Sequence, residues 1–299
     1  MKYCKGEVAE AMPQVLASGL ALGSLYGLMA LGLVLILKST DIANFAQGEM
    51  ALVSAYVAFF LMSRYSANFW LALLAAMAFA IVLALVVERV TIRPILGAGA
   101  LAAVFMTFGL NITLNSFTAL FFGPAEQRMP TPWPSTPLRL GDVVVSWTTV
   151  AALVIGFGGM LVLRAFFRYT AIGVQMRAVA ENLTVPPLLG ISVPRVFALS
   201  WAIAGVFGVL AGVVLAQATD LDPLLMGAFI LKAFTGAAIG GFVSFEGAFF
   251  GGLLLGAVEN LAAVYVSTTL KDGIAFIIII LVLLIRPTGL FATAAQRQV

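Results

Sequence analysis

Apolar residues run through this chain in blocks long enough to cross a bilayer, separated by short polar connections. The blocks at 15–37, 69–87, 101–122, 143–163, 196–216, 224–241 and 248–266 carry at most one charged residue each. A transmembrane helix needs about 20 apolar residues, with a usual range of about 17–25, so each block predicts one span. Two shorter runs, 50–62 and 273–285, predict short, tilted or broken helices. The expected fold is an all-α polytopic membrane protein with eight or nine transmembrane or partly spanning helices.

Polar and small residues inside the blocks are patterned. Gly19, Gly23 and Gly27 lie four apart in the first block, and Gly205, Gly208 and Gly212 lie at i, i+3 and i+7 of a later one. Gly236 with Gly240 and Gly252 with Gly256 repeat the spacing. Helices in lipid associate through close backbone approach across such faces, so these ridges predict tight packing within the chain or against a partner span. In the block at 101–122, Thr107, Asn111, Asn115 and Thr118 fall within a sector of about 80° at helical periodicity. That polar face is either an interhelical hydrogen-bonding surface or the wall of a pathway.

Three ionisable residues lie in or beside spans: Glu49, Lys232 and Glu259. Charges at membrane depth are costly and face a cavity or a partner. Lys232 is expected to pair with an acid of another helix or to serve a pathway or gate. The stretch TDIANFAQGEM (40–50) places Asp41, Asn44, Gln47 and Glu49 between the first long block and the short second run. It is either a solvated cytoplasmic turn or a break in the helix beside a translocation route, with Gly48 permitting close backbone approach.

Composition makes lipid the solvent. Of 299 residues, 62% are hydrophobic and 10% charged, against about a quarter charged in soluble domains; mean hydropathy is +1.10. The net charge of +3 is spread thinly, without a basic run that would mark nucleic-acid binding. Lys and Arg bias the two sides of the membrane. With nine crossings, one side holds nine (Lys38, Arg89, Arg93, Arg164, Arg168, Arg177, Arg195, Arg286, Arg297) and the other six (Lys2, Lys5, Arg64, Arg128, Arg139, Lys271). Residues 164–195 and the C-terminus are therefore expected in the cytoplasm and the N-terminus outside. The external loop 123–142 contains five prolines, at 124, 130, 132, 134 and 137, which oppose helix and predict an extended cap. No flexible linker divides residues 1–299, which read as one membrane domain.

Chemistry is scarce. The chain has no histidine, and its lone Cys4 is expected to be an incidental thiol rather than a lipid attachment site. No metal site is expected. A P-loop for ATP, an H-E-x-x-H metalloprotease motif and a G-x-S-x-G elbow are all absent. An enzyme is not expected.

Three long stretches carry a family likeness. Residues 19–50, GLALGSLYGLMALGLVLILKSTDIANFAQGEM, resemble the opening of the H-type permease of branched-chain amino acid ABC importers, in which a Gly-rich helix leads into Asn-Phe-Ala-x-Gly-Glu. Residues 231–261 and 265–291 resemble its closing half, and TFGLNITLNSFTALFFG (107–123) also fits. The resemblance implies a transport subunit in the bacterial inner membrane that hydrolyses no ATP itself. It implies a second homologous permease, two cytoplasmic ATPase subunits that hold ATP and Mg, a periplasmic substrate-binding protein and an amino-acid substrate. No cofactor is expected in this chain. RAVAENLTVPPLLGI (177–191) resembles the family's ATPase-coupling segment, matching at Arg177, Ala178, Ala180, Glu181, Asn182, Leu188, Gly190 and Ile191. The chain departs from the pattern at TVPP (184–187), where two prolines should break or restart the helix, and at Phe245-Glu246, where Ile-Pro is common. The competing expectation is a self-sufficient secondary carrier or channel using Lys232 and Glu259 for ion coupling.

Overall fold

The computed structural model describes residues 5–140, 143–242, 244–268, 271–286 and 289–291; Cys4 lies outside them. Among these residues the chain is mostly helical, with one short two-stranded pairing. In order come α1 (Lys5–Thr40), α2 (Gln47–Tyr65), α3 (Phe69–Val87), α4 (Ala100–Phe122), the strands β1 (Leu138–Leu140) and β2 (Val143–Val145), α5 (Trp147–Tyr169), α6 (Ala171–Glu181), α7 (Val185–Leu188), α8 (Val193–Thr219), α9 (Leu225–Gly240), α10 (Phe245–Tyr265) and α11 (Lys271–Ile285). Six helices have the length and composition to cross a membrane, in α1, α3, α4, α5, α8 and α10. The shorter α2, α9 and α11 coincide with the remaining apolar runs.

α1 is the hub. Of its membrane-length window 83% is buried, against 11% for α4, and it packs on α10, α8, α5 and α9. Small residues set these contacts. A Cβ on Gly23 would lie 2.8 Å from the Gly252 carbonyl oxygen, one on Gly27 2.7 Å from Phe249, and one on Gly19 2.9 Å from the Gly256 carbonyl oxygen. α3 uses alanine instead. Ala72, Ala76, Ala80 and Ala84 are its buried stripe, and a Cβ on Gly205 of α8 would stand 3.0 Å from the Ala80 carbonyl oxygen. The opposite side of α3 exposes Trp70, Leu71, Leu74, Val82 and Val86, which suits lipid.

Past Val87, α3 continues through a π-turn (Glu88–Ile92) and a 3-10 turn (Arg93–Ile95). Pro94 lacks an N–H and ends regular helix there. Buried Glu88 is clasped by Arg93 at 2.9–3.1 Å, and Arg93 reaches the Pro194 carbonyl oxygen at 3.4 Å, tying this end to the start of α8.

Two of the boundaries that differ from the sequence pattern have a local cause. The block at 143–163 loses its first residues to β2, which pairs antiparallel with β1 in the register Leu138↔Val145, Arg139↔Val144 and Leu140↔Val143. β-branched Val143-Val144-Val145 suits a strand, and Ser146 starts α5 by accepting from the Thr149 N–H at 3.1 Å. The run at 50–62 extends to α2, which takes in buried Gln47, Gly48 and Glu49. Their polarity hid them from a hydropathy reading. The Pro-rich segment is without helix over 123–137: Gln127 bridges Leu221, and Trp133 Nε1 donates to Gln217 Oε1 at 3.1 Å.

Candidate functional site

α1 ends where Asp41 takes a left-handed backbone (φ 57°), which Asp tolerates better than most residues. The chain then turns back into the protein without helix until Gln47. The depth of this re-entry follows from its neighbours. Gly32, eight residues before Thr40, leaves the space that the Gln47 side-chain amide fills, which places α2's first turn about 12 Å inside the end of α1. Non-helical backbone at that depth needs protein partners, and α4 supplies them. Thr107 Oγ1 lies 3.4 Å from the Ala43 carbonyl oxygen while donating to Val104 at 3.0 Å. Asn111 Nδ2 donates to the Phe45 carbonyl oxygen at 3.2 Å. Asn44 Oδ1 accepts from the Ala46 N–H at 3.1 Å, an Asx turn that aims the chain into α2. Thr118 bonds within its own helix. A solvated turn is therefore excluded for Asn44, Gln47 and Glu49, all buried; Asp41 alone is exposed.

A second break enters from the opposite end. α8 stops at Asp220, which has a positive φ (77°) with an extended ψ (161°), and residues 221–224 lead back to α9. Asn115 joins the two breaks: its Nδ2 donates to Glu49 Oε2 at 3.2 Å and to the Pro223 carbonyl oxygen at 2.6 Å. The first turns of α2 and α9 approach closely, since a Cβ on Gly48 would lie 3.1 Å from Ile230 Cβ and 3.3 Å from Met226 Cβ. Phe45, at the tip of the first break, stacks on Phe234 of α9 at 4.8 Å and lies 4.7 Å from Phe108 of α4. Among the described residues, buried Gln47 Oε1 has no hydrogen-bond partner; its Nε2 reaches the Ala204 carbonyl oxygen at 3.5 Å.

Lys232 and Glu259 lie elsewhere. Lys232 Nζ donates to Glu259 Oε1 at 2.6 Å, and Tyr26 OH donates to Glu259 Oε2 at 3.0 Å. All three are buried. The pair joins α9 to α10 beside the glycine seam, and neighbouring Asn260 donates to the Val15 carbonyl oxygen at 2.7 Å. The structure thus separates residues grouped above as pathway candidates. Asn44, Gln47, Glu49, Thr107, Asn111 and Asn115 gather at the breaks, whereas Lys232 and Glu259 form a closed buried pair.

At the end that gathers Lys38, Arg164, Arg168 and Arg177, α6 turns Gly173, Met176 and Val179 inward and leaves Arg177, Ala180 and Glu181 exposed. The helix stops after Glu181, Asn182 Oδ1 accepts from the Thr184 and Val185 N–H groups at 2.7 and 3.1 Å, and α7 restarts with prolines in its first turn. This is the interruption expected from Pro186 and Pro187. Exposed Gly190 takes φ 78°. Sequence reading missed the second break, although LDP at 221–223 between apolar runs was its signal. It also missed Tyr26 and the Phe45 stack, which only the packing reveals.

The family model described as "Branched-chain amino acid transport system / permease component" matches residues 15–283. The high-affinity branched-chain amino acid transport system permease protein LivH of Escherichia coli K12 is 35% identical, covering 96% of this chain and 97% of that protein. BraD of Pseudomonas aeruginosa, a permease protein of the same description, is 33% identical over the same shares. A probable branched-chain amino acid transport permease of Methanocaldococcus jannaschii is 26% identical over 92% and 91%. With a match across nearly its whole length and helices built to cross a bilayer, this chain belongs to the branched-chain amino acid transport permease family and is a multi-pass, non-enzymatic transport component of the inner membrane.

Proposed function

We propose that this chain forms half of the membrane pathway of an ATP-driven importer for branched-chain or related small amino acids. It works by alternating access beside a second homologous permease, driven by two cytoplasmic ATPases that hold ATP and Mg, with a periplasmic protein delivering the amino acid. The observation that carries the reading is the meeting of two broken segments, entering from opposite ends, at Asn115. Discontinuous helices offer free backbone groups and helix ends to polar cargo at mid-membrane. A zwitterion fits this chemistry. Its ammonium suits the Glu49 carboxylate and the unpartnered Gln47 Oε1, its carboxylate suits the N-terminal ends of α2 and α9, and an apolar side chain suits the Phe45, Phe108 and Phe234 rings.

Uptake of leucine into proteoliposomes tests the reading. Uptake should require ATP, both ATPases and the binding protein; uptake by this chain alone would establish the secondary carrier instead. In the complete importer, Asn115→Leu strands two acceptors at a cost of about 1–3 kcal/mol each, so uptake should fall at least about tenfold while the complex still assembles. Unchanged uptake would remove the breaks from the pathway.

The exposed face of α6 supports a role as the ATPase-coupling element, with Arg177, Ala180 and Glu181 presented to the partner and Gly190 shaping the return to α8. Arg177→Glu should leave the ATPases hydrolysing ATP without matching uptake, read as the ratio of phosphate released to leucine accumulated. An unaltered ratio would place the coupling contact elsewhere.

A further inference from the structure

A cavity of about 530 Å³ opens at the basic end of the molecule between α1, α5, α6 and the start of α10. Lys38, Arg164, Arg168 and Arg177 line it with Glu246, and Glu181 also acts on the charge of Lys38, so cations outnumber acids there. Arg164 meets Glu246 only at 3.9 Å, the outer limit of an ion pair. Lys38 also lies 5.0 Å from the centre of the Phe245 ring, and Arg168 lies 5.4 Å from that of Tyr169. Arg164 and Arg168 are one helical turn apart on α5, so their guanidinium groups form one edge of the opening.

We propose that this cavity binds a phosphate-bearing anion, and that its source is an anionic phospholipid headgroup of the cytoplasmic leaflet. Arginine forks match phosphate oxygens, and basic pockets between membrane helices on the cytoplasmic side take anionic headgroups. Geometry favours a lipid over a soluble anion. Apolar Met160, Phe167 and Phe245 line the cavity beside the cations, a wall on which an acyl chain gains contact and a free phosphate does not. Leu161, three residues before Arg164 and so on the same side of α5, is exposed, and the opening borders lipid there. The leaflet assignment rests on the orientation proposed above, but the test reads lipid retention and needs no transport, so the two can fail separately.

The full chain is reconstituted in phosphatidylcholine bilayers containing a minority of phosphatidylglycerol, and lipid retained after gentle release is counted by native mass spectrometry. Phosphatidylglycerol should be retained in preference to phosphatidylcholine. Arg164→Gln with Arg168→Gln should reduce that retention about 30-fold, from the worth of two charges at an anionic surface. Glu246→Gln, which removes an opposing charge, should raise retention about fivefold and supplies a second readout should the double variant not fold. In a parallel arm, inorganic phosphate is titrated into the chain in pure phosphatidylcholine; binding there that the double variant loses would assign the same site to free phosphate. Anion binding unchanged in all variants overturns the proposal. So does unchanged anion binding together with loss of the ATPase subunits when the double variant is assembled into the complete importer, which would make these cations a protein-docking surface.

Discussion

Glu259→Leu is expected to destabilise the folded chain by about 3–5 kcal/mol, because it takes the carboxylate from beside an ammonium buried with it. Lys232 Nζ and Glu259 Oε1 stand 2.6 Å apart, and both side chains are buried. Lipid on the outside offers the ammonium no better solvent than the protein does. Thermal unfolding in detergent, followed by the loss of the monodisperse peak, reads the effect. The double variant Lys232→Met/Glu259→Gln should recover to within about 1 kcal/mol of the parent, since replacing both partners removes the buried charges together and glutamine still accepts from Tyr26 OH. The cycle also separates the two roles considered for the pair. Recovery of both stability and leucine uptake makes it a structural clasp. Recovery of stability without uptake makes its charges part of transport, and failure of the double variant to recover refutes the ion-pair account of its stability.

Gly252→Ala should be at least as damaging, by about 3 kcal/mol or more, at the upper end of what overpacking costs. Gly252 sits where three helices meet. Its Cβ would stand 2.6 Å from Gly27 Cα of α1, and a Cβ on Gly236 of α9 would stand 2.7 Å from Gly252 Cα. Backbone, unlike a side chain, cannot rotate away, so a single methyl must separate α10 from α1. Gly158→Ala on α5 is the matched control: it too is a helical glycine, but a Cβ there meets nothing within 4 Å. Alanine should stabilise that position by up to about 1 kcal/mol through helix propensity. Equal yields and melting temperatures for the two variants would show that the seam tolerates more space than its geometry allows.

Most of the span plan was legible because lipid imposes one rule on every crossing: enough consecutive apolar residues to close the backbone on itself. Eight of the nine runs reappear as helices, the first lengthened by about ten residues at its start and that at 143–163 displaced by about five, and the run at 50–62 survives as the interior of α2. Where the rule was broken, the reading weakened. Gln47 and Glu49 were open to two readings, a solvated turn or a break in the helix, and Ala204, Asn115 and the close approach of α9 carry them into the protein. The polar face of α4 was visible from its periodicity, but both of its possible roles were open. Its hydrogen bonds to the carbonyl oxygens of Phe45 and Pro223 show that it supports two breaks lying 66 and 108 positions away. The prolines at 186 and 187 could be read locally, since proline acts on its own turn whatever surrounds it.

The sequence alone determined that this chain is a bundle of membrane helices, which of its residues are too polar for lipid, and which helix faces are small enough to touch. Each of these follows from the composition of a single segment and the solvent it must meet. The tertiary structure alone decided which segments meet: Gly23 with Gly252, Lys232 with Glu259 and Tyr26, and the two breaks at Asn115. The physical reason is that helical periodicity fixes the direction a residue faces on its own helix, whereas its partner depends on how all the helices share one finite volume.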